Sequence, residues 1–183
     1  MNISVKDRQI LRDLASYQME LAHSPRNQQL YQDWMAHGNA QTITRPLIRI
    51  EIGTFEHQLL PAMQRCEGEE ARAIERAMLR PIVNFTQFQD DTLVPDYCGV
   101  GPSTRFVPFG LPVKRQETGS LGHHFIPYLH DLEEDEHLLG PSQYAIDLEG
   151  TVRYEAQMQD LFGDILPVRR ISNAFYCTPM QDI

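Results

Sequence analysis

The chain has 183 residues, 25 of them Asp or Glu against 16 Lys or Arg, which gives a formal net charge of -9 and a pI near 5.2. That length suits one domain, and an apolar share of 42% beside 22% charged residues is the balance of a core-forming chain, not of a disordered one. The acidic excess excludes a general phosphate-backbone binder, which needs a basic stripe, and no run approaches the roughly 18 apolar residues that cross a bilayer. The opening MNISVKDRQILRDL is charged and helix-patterned, unlike a secretory leader, so a cytoplasmic address is expected.

In chain order, Ile10, Leu14, Tyr17 and Leu21 place one apolar stripe on a helix from about Val5 to Ala22, with Ser4 as its N-cap. Ser24-Pro25 then supplies a capping hydroxyl and an N1 proline for a second helix that carries Leu30, Trp34 and Met35 and closes at Gly38. Residues 1-40 are thus expected to form a helical hairpin. In RPLIRIEIG, Ile48, Ile50 and Ile52 alternate with Arg49 and Glu51, the pattern of a strand that ends at Gly53. A third helix is expected from about Glu69 toward Phe88, kinked or divided by Pro81 and ended by Asp90-Asp91. From about 93 to 125, short apolar runs between Gly and Pro residues predict strands and loops. HDLEEDEHLLGP follows as an acidic helical turn, DLEGTVRYEAQMQDLFGD as a full helix closed by Gly163, and ILPVRRI as a further strand.

Three cysteines, Cys66, Cys98 and Cys177, are far apart and without CxxC spacing, so they read as reduced, mostly buried thiols. Basic residues are 14 Arg and only Lys6 and Lys114. That skew fits either carboxylate-binding forks or the base composition of the gene.

The phrases WMAHGNAQTITRPLIRIEI, FTQFQDDTLVP and YAIDLEGTVRYEAQMQDLFGDILPV, in that order, resemble the front end of the uroporphyrinogen decarboxylase superfamily, which includes cobalamin-linked methyltransferases. The resemblance spans nearly the whole chain. It implies a (β/α)8 barrel, of which an ordinary example needs about 250 residues. The expected fold class is therefore α/β: a partial (β/α)8 TIM barrel over 41-183, with a strand-and-loop insertion, preceded by the helical hairpin. The resemblance further implies an N-terminal portion of an enzyme that moves a methyl group between a small donor, a corrinoid and an acceptor. No cofactor is expected on this chain alone, and self-association is expected from its open strand edges. Decarboxylases of the superfamily place arginines just after the first strand, whereas GTFEHQLLPAMQ here has none before Arg65. The methyltransferases hold zinc through a late His-x-Cys and a further Cys. That motif does not occur here, so zinc would need ligands from elsewhere. The alternative is a freestanding α+β module that binds small molecules or other proteins without catalysis.

Inside such a barrel Arg49 and Glu51 would face opposite to the isoleucines, buried and either paired with each other or touching a ligand. On that reading Arg49 is the substrate-binding candidate and Glu51 a catalytic one. Asp90 and Asp91 sit at a helix-to-strand junction, where one of them, Asp91, is a catalytic candidate and a capping role is the other reading. His123-His124, His130-Asp131 and His137 are dense in metal-competent groups, but neither His-x-His nor HExxH is present, so no metal site is expected. His124 is the third catalytic candidate, as a group that titrates near neutrality. GVGPSTRF lacks a P-loop's Lys-Ser/Thr ending and reads as a turn.

Overall fold

The computed structural model describes residues 3-41, 45-53, 55-112, 114-117 and 123-172. The chain divides into two compact units, the first of residues 1-99 and 155-169 and the second of 100-154 and 170-183. Cys177 lies outside the described residues.

In the first unit α1 runs Val5–Ala22 and α2 runs Pro25–Gly38, each with the serine cap read from sequence: Ser4 accepts from the Asp7 N–H and Ser24 from the Asn27 N–H. A short α3, Glu56–Leu59, precedes α4, Glu69–Val83. The α4 helix runs through Pro81 and then widens into a π-helical turn over Asn84–Phe88, which Gln89 ends in the left-handed region at φ 53°. Two apolar clusters hold these helices. Leu60, Leu79 and Val83 form one, with Leu14 and Met63 against it. Ala22, Leu30, Phe85 and Val94 form the other.

Buried carboxylates tie the loops to the helices. Asp7, only 2% exposed, accepts from the N–H groups of Glu67 (2.8 Å) and Gly68 (3.0 Å) and so ties the loop that enters α4 to α1. Glu75 does the same for the Arg65 and Cys66 N–H groups, at 2.8 and 3.0 Å. Cys66 is buried between these acids, and burial first, then the charges of Glu75 and Asp7, push its thiol up to about 12. Cys98 is half-buried and burial likewise raises its thiol.

In the second unit β2, Ser103–Val107, pairs antiparallel with β5, Gln143–Asp147, with Phe106 opposite Tyr144 and Thr104 opposite Ile146. The β3 strand, Arg115–Glu117, pairs antiparallel with β4, His123–Phe125. Asp131 caps the single-turn α5, Leu132–Asp135, by accepting from the Glu133 and Glu134 N–H groups. Helix α6, Leu148–Phe162, begins in this unit and ends in the first, where Met158, Leu161 and Phe162 are buried. A last pair joins β1, Cys98–Val100, to β6, Val168–Arg170, at the residues where the chain passes between units.

The expected partial barrel is not formed. Among the described residues every sheet has two strands, and two of the three are antiparallel, whereas a barrel is a closed parallel ladder. The physical reason lies at Ile48–Ile52. The segment is extended, but side chains occupy the places where a neighbouring strand would bond: the Ile48 N–H donates to Asp91 and the Ile50 N–H to Asp90, both at 2.7 Å. The Asn84 amide donates to the Ile50 carbonyl at 2.8 Å. Only the Asp91 N–H to the Ile48 carbonyl, 2.8 Å, resembles a ladder rung. The following stretch is held in the same way, with the Asn27 side chain bonding both the N–H and the carbonyl of Val94 and Gln18 donating to the Pro95 carbonyl. Carboxylates and amides from helices and turns thus take the part of strands. No helix among the described residues is long and apolar enough to cross a membrane.

Candidate functional site

An extended segment turns alternate side chains to opposite sides, so Arg49 and Glu51 share one face and Ile48 and Ile50 the other. The structure corrects the expectation that Arg49 and Glu51 are buried: both are exposed, and no ion pair joins them. The reason follows from the clamp just described. A segment held by a few side chains along one edge has no strand beyond it to close over its faces, and Ile48 (60%) and Ile50 (37%) are exposed as well.

Arg49 and Glu51 look into a cleft of about 1170 Å³ within the first unit. It is lined by the segment Arg49–Gly53, by Thr92–Tyr97, by residues of α2 and by the end of α4. Its apolar lining includes Ala22, Ile52 and Val94, all buried. Its charged lining is mixed: Arg80 is committed to an ion pair with Glu56, and Arg169 lies 3.5 Å from Asp96 and over the ring of Tyr97. The Glu56 hydrogen bond and charge raise the Arg80 guanidinium, with a smaller push from Glu51. Glu51 also turns back to accept the Gly53 N–H at 3.0 Å, and a β-carbon at position 53 would stand 2.8 Å from its Oε1. Glycine at 53 therefore sets where the Glu51 carboxylate sits.

Asp91 stands behind this wall. It is 7% exposed, accepts both arms of Arg45 at 2.7 Å and takes the Ile48 N–H as well. Arg45's hydrogen bonds, with the Ile48 N–H helping against the opposing effect of burial, hold its carboxyl below the usual carboxylate range. Asp90, 8% exposed, is equally engaged, by the Ile50 and Thr92 N–H groups and the Asn84 amide. Their bonds are those of a clamp that fixes the segment bearing Arg49 and Glu51. His124 belongs to the second unit, exposed on β4 opposite Gln116. The structure thus brings Arg49 and Glu51 to one cleft wall, with Asp91 supporting it.

Sequence reasoning passed over Asn84. The residue is 5% exposed, lines the cleft and opens the π-helical turn. Its Nδ2 reaches Ile50, Asp90 and Thr92, while its Oδ1 has no hydrogen-bond partner among the described residues. The available signal was an asparagine between Val83 and Phe85 in an otherwise apolar helical run, since Asn is a weak helix former that competes for backbone groups. π-Helical turns are frequent at functional sites.

Among the described residues no group of His, Cys, Asp and Glu is arranged to hold a metal ion. The described residues therefore supply no ligand set for the zinc that the resemblance implies. No protein-family model, curated protein or solved structure matches the chain.

Proposed function

We propose that the first unit binds a small organic molecule in the cleft behind Arg49 and Glu51, as the substrate-receiving part of an enzyme of the uroporphyrinogen decarboxylase and cobalamin methyltransferase kind. The observation that carries the binding part is that a positive and a negative side chain, not paired with each other, stand on one wall of a cleft whose remaining lining mixes buried apolar side chains such as Ala22 and Val94 with polar ones such as Gln28, Thr92 and Asp96. A concave site that combines apolar surface with placed polar groups is the usual form of a small-molecule site. The methyl-transfer part is supported by the resemblance of the three sequence phrases alone. In this reading Arg49 orients the substrate, Glu51 holds or moves a proton on it, and Asp91 positions both through the Ile48 backbone. A corrinoid would supply the methyl-carrying chemistry from a partner, and this chain alone turns nothing over. Cys66 and Cys98, both unpaired among the described residues, support a cytoplasmic setting.

A set of small N-, O- and S-methyl compounds, titrated while amide signals are followed by NMR, tests the reading. Saturable shifts confined to Arg49–Gly53, Asn84 and Thr92–Tyr97 are expected, with hydroxocobalamin binding weakly or not at all. Absence of any shift across the set, or tight stoichiometric binding of the corrinoid, overturns the methyl-transfer part of it. One observation favours the second reading, a protein-interaction module: Tyr144, Ile146, Leu148 and Val152 are all exposed in the second unit. Exposed apolar side chains in such number mark interaction surfaces.

A further inference from the structure

We infer that the occupant of the cleft is a zwitterionic α-amino acid with an apolar side chain, an inference that rests on the cleft being a small-molecule site. Arg49 and Glu51 are two residues apart on an extended segment, so their Cα atoms are about 6.5 Å apart and both side chains leave the same face. No ion pair neutralises Arg49 among the described residues, in contrast to Arg80 and Arg169 on the same cleft. Glu51 gives one oxygen to the Gly53 N–H and lends its charge to Arg80 without pairing with it, which leaves its second oxygen for a donor. A ligand that shuts water out of the cleft must answer both charges, because a desolvated charge without a partner costs several kcal/mol. An anion alone would strand Glu51, and a cation alone would strand Arg49. A carboxylate on the planar fork of Arg49 and an ammonium on Glu51 answer both.

The bond to Glu51 also sets what the ligand nitrogen must carry. A carboxylate only accepts, so the nitrogen must keep at least one hydrogen to bond the free oxygen of Glu51, which a fully methylated nitrogen lacks. Ile52, Val94 and Ala22 leave the remaining space to an aliphatic side chain.

The test uses four matched probes on the intact chain, with amide and side-chain NMR signals as the readout: L-leucine, 4-methylpentanoate, 3-methylbutylamine and N,N,N-trimethyl-L-leucine. L-Leucine should bind at least about tenfold more tightly than each of the other three, the trimethyl compound among them because it has no N–H for Glu51. Arg49→Gln should bring L-leucine down to the affinity of the amine, and Glu51→Gln to that of the acid. Both positions are exposed, and an otherwise unchanged amide spectrum confirms that the variants fold. If L-leucine binds in the cleft no better than its two halves, the zwitterion assignment is wrong while the cleft remains a small-molecule site. If the trimethyl compound matches L-leucine, the hydrogen bond from the ligand nitrogen to Glu51 is wrong. If the methyl-compound set and all four probes leave the cleft signals unmoved, the small-molecule reading itself fails.

Discussion

The two units solve the same problem, holding extended chain in place, by opposite means. The first uses buried polar side chains as ties: Asp7, Glu75, Asp90, Asp91 and Asn27 are all under a tenth exposed and each bonds backbone N–H groups of a neighbouring loop or segment. The second relies on short antiparallel pairs with little beneath them. Every residue of β5 is exposed, and among the described residues every buried apolar side chain apart from Val100 and Pro108 lies in the first unit. Stability is unevenly shared as a result, and so is the precision with which a side chain can be aimed. A functional wall belongs where the backbone is pinned by satisfied buried groups, because positioning a reactive side chain needs support from the residues behind it.

The sharpest way to break this contrast is the same substitution in each unit. Leu11 is fully buried and Leu148 is 68% exposed. Leu11→Ala should cost about 3 kcal/mol from lost burial and the cavity left behind. Leu148→Ala should stay within about 0.5 kcal/mol. Native-state hydrogen exchange on each variant reads the cost unit by unit, and equal costs would contradict the contrast.

Asp91→Ala comes next. It leaves the Ile48 N–H and Arg45 without their acceptor, at a cost of about 2 kcal/mol for a charge-assisted buried bond. Trp34, the only tryptophan in the chain, donates to the Asp91 carbonyl at 2.7 Å and so reports loosening of the clamp by fluorescence during urea unfolding. The same residue gives the first unit an acid-sensitive stability. Because its partners hold the folded carboxyl below its unfolded value, the contribution is complete above about pH 4 and is lost as pH falls through the folded pKa. Asp7 behaves alike, held low chiefly by the Glu67 and Gly68 N–H groups. Stability measured from pH 6 downward should therefore fall less steeply in Asp91→Ala and in Asp7→Asn than in the wild type. A slope that neither substitution changes would contradict this.

Much of the helical frame was legible because helices announce themselves locally: Ser4, Ser24-Pro25 and the apolar spacing of α1, α2 and α4 are all short-range signals. The segment Ile48–Ile52 was misread for the complementary reason. Its alternation says that the chain is extended and two-faced, but the identity of what bonds its edge is a long-range fact. Here Asp90, Asp91 and Asn84, some 34 to 43 residues away, take the place of a strand. The candidate site was legible in part for the same reason. Arg49 and Glu51 were visible as charges interrupting isoleucines, whereas the unpartnered oxygen of Asn84 exists only once α4 and the segment meet.

The smallest expected effect also reverses the burial expected from the alternating pattern. Since Arg49 and Glu51 are exposed, replacing either by Gln, or both together, should change unfolding free energy by less than about 0.5 kcal/mol. A loss of several kcal/mol in the single variants, relieved in the double, would mean that the pair is buried and bonded after all.

Hydrogen exchange in the presence of a saturating small-molecule ligand tests the central claim most directly. The account predicts slowed exchange at the amides of Ile50 to Gly53, Thr92 to Val94, Asp96 and Tyr97, with β2 and β5 unchanged, and loss of that protection in the Arg49→Gln, Glu51→Gln double variant. Protection that appears on β5 instead, or that survives the double substitution in full, would contradict it.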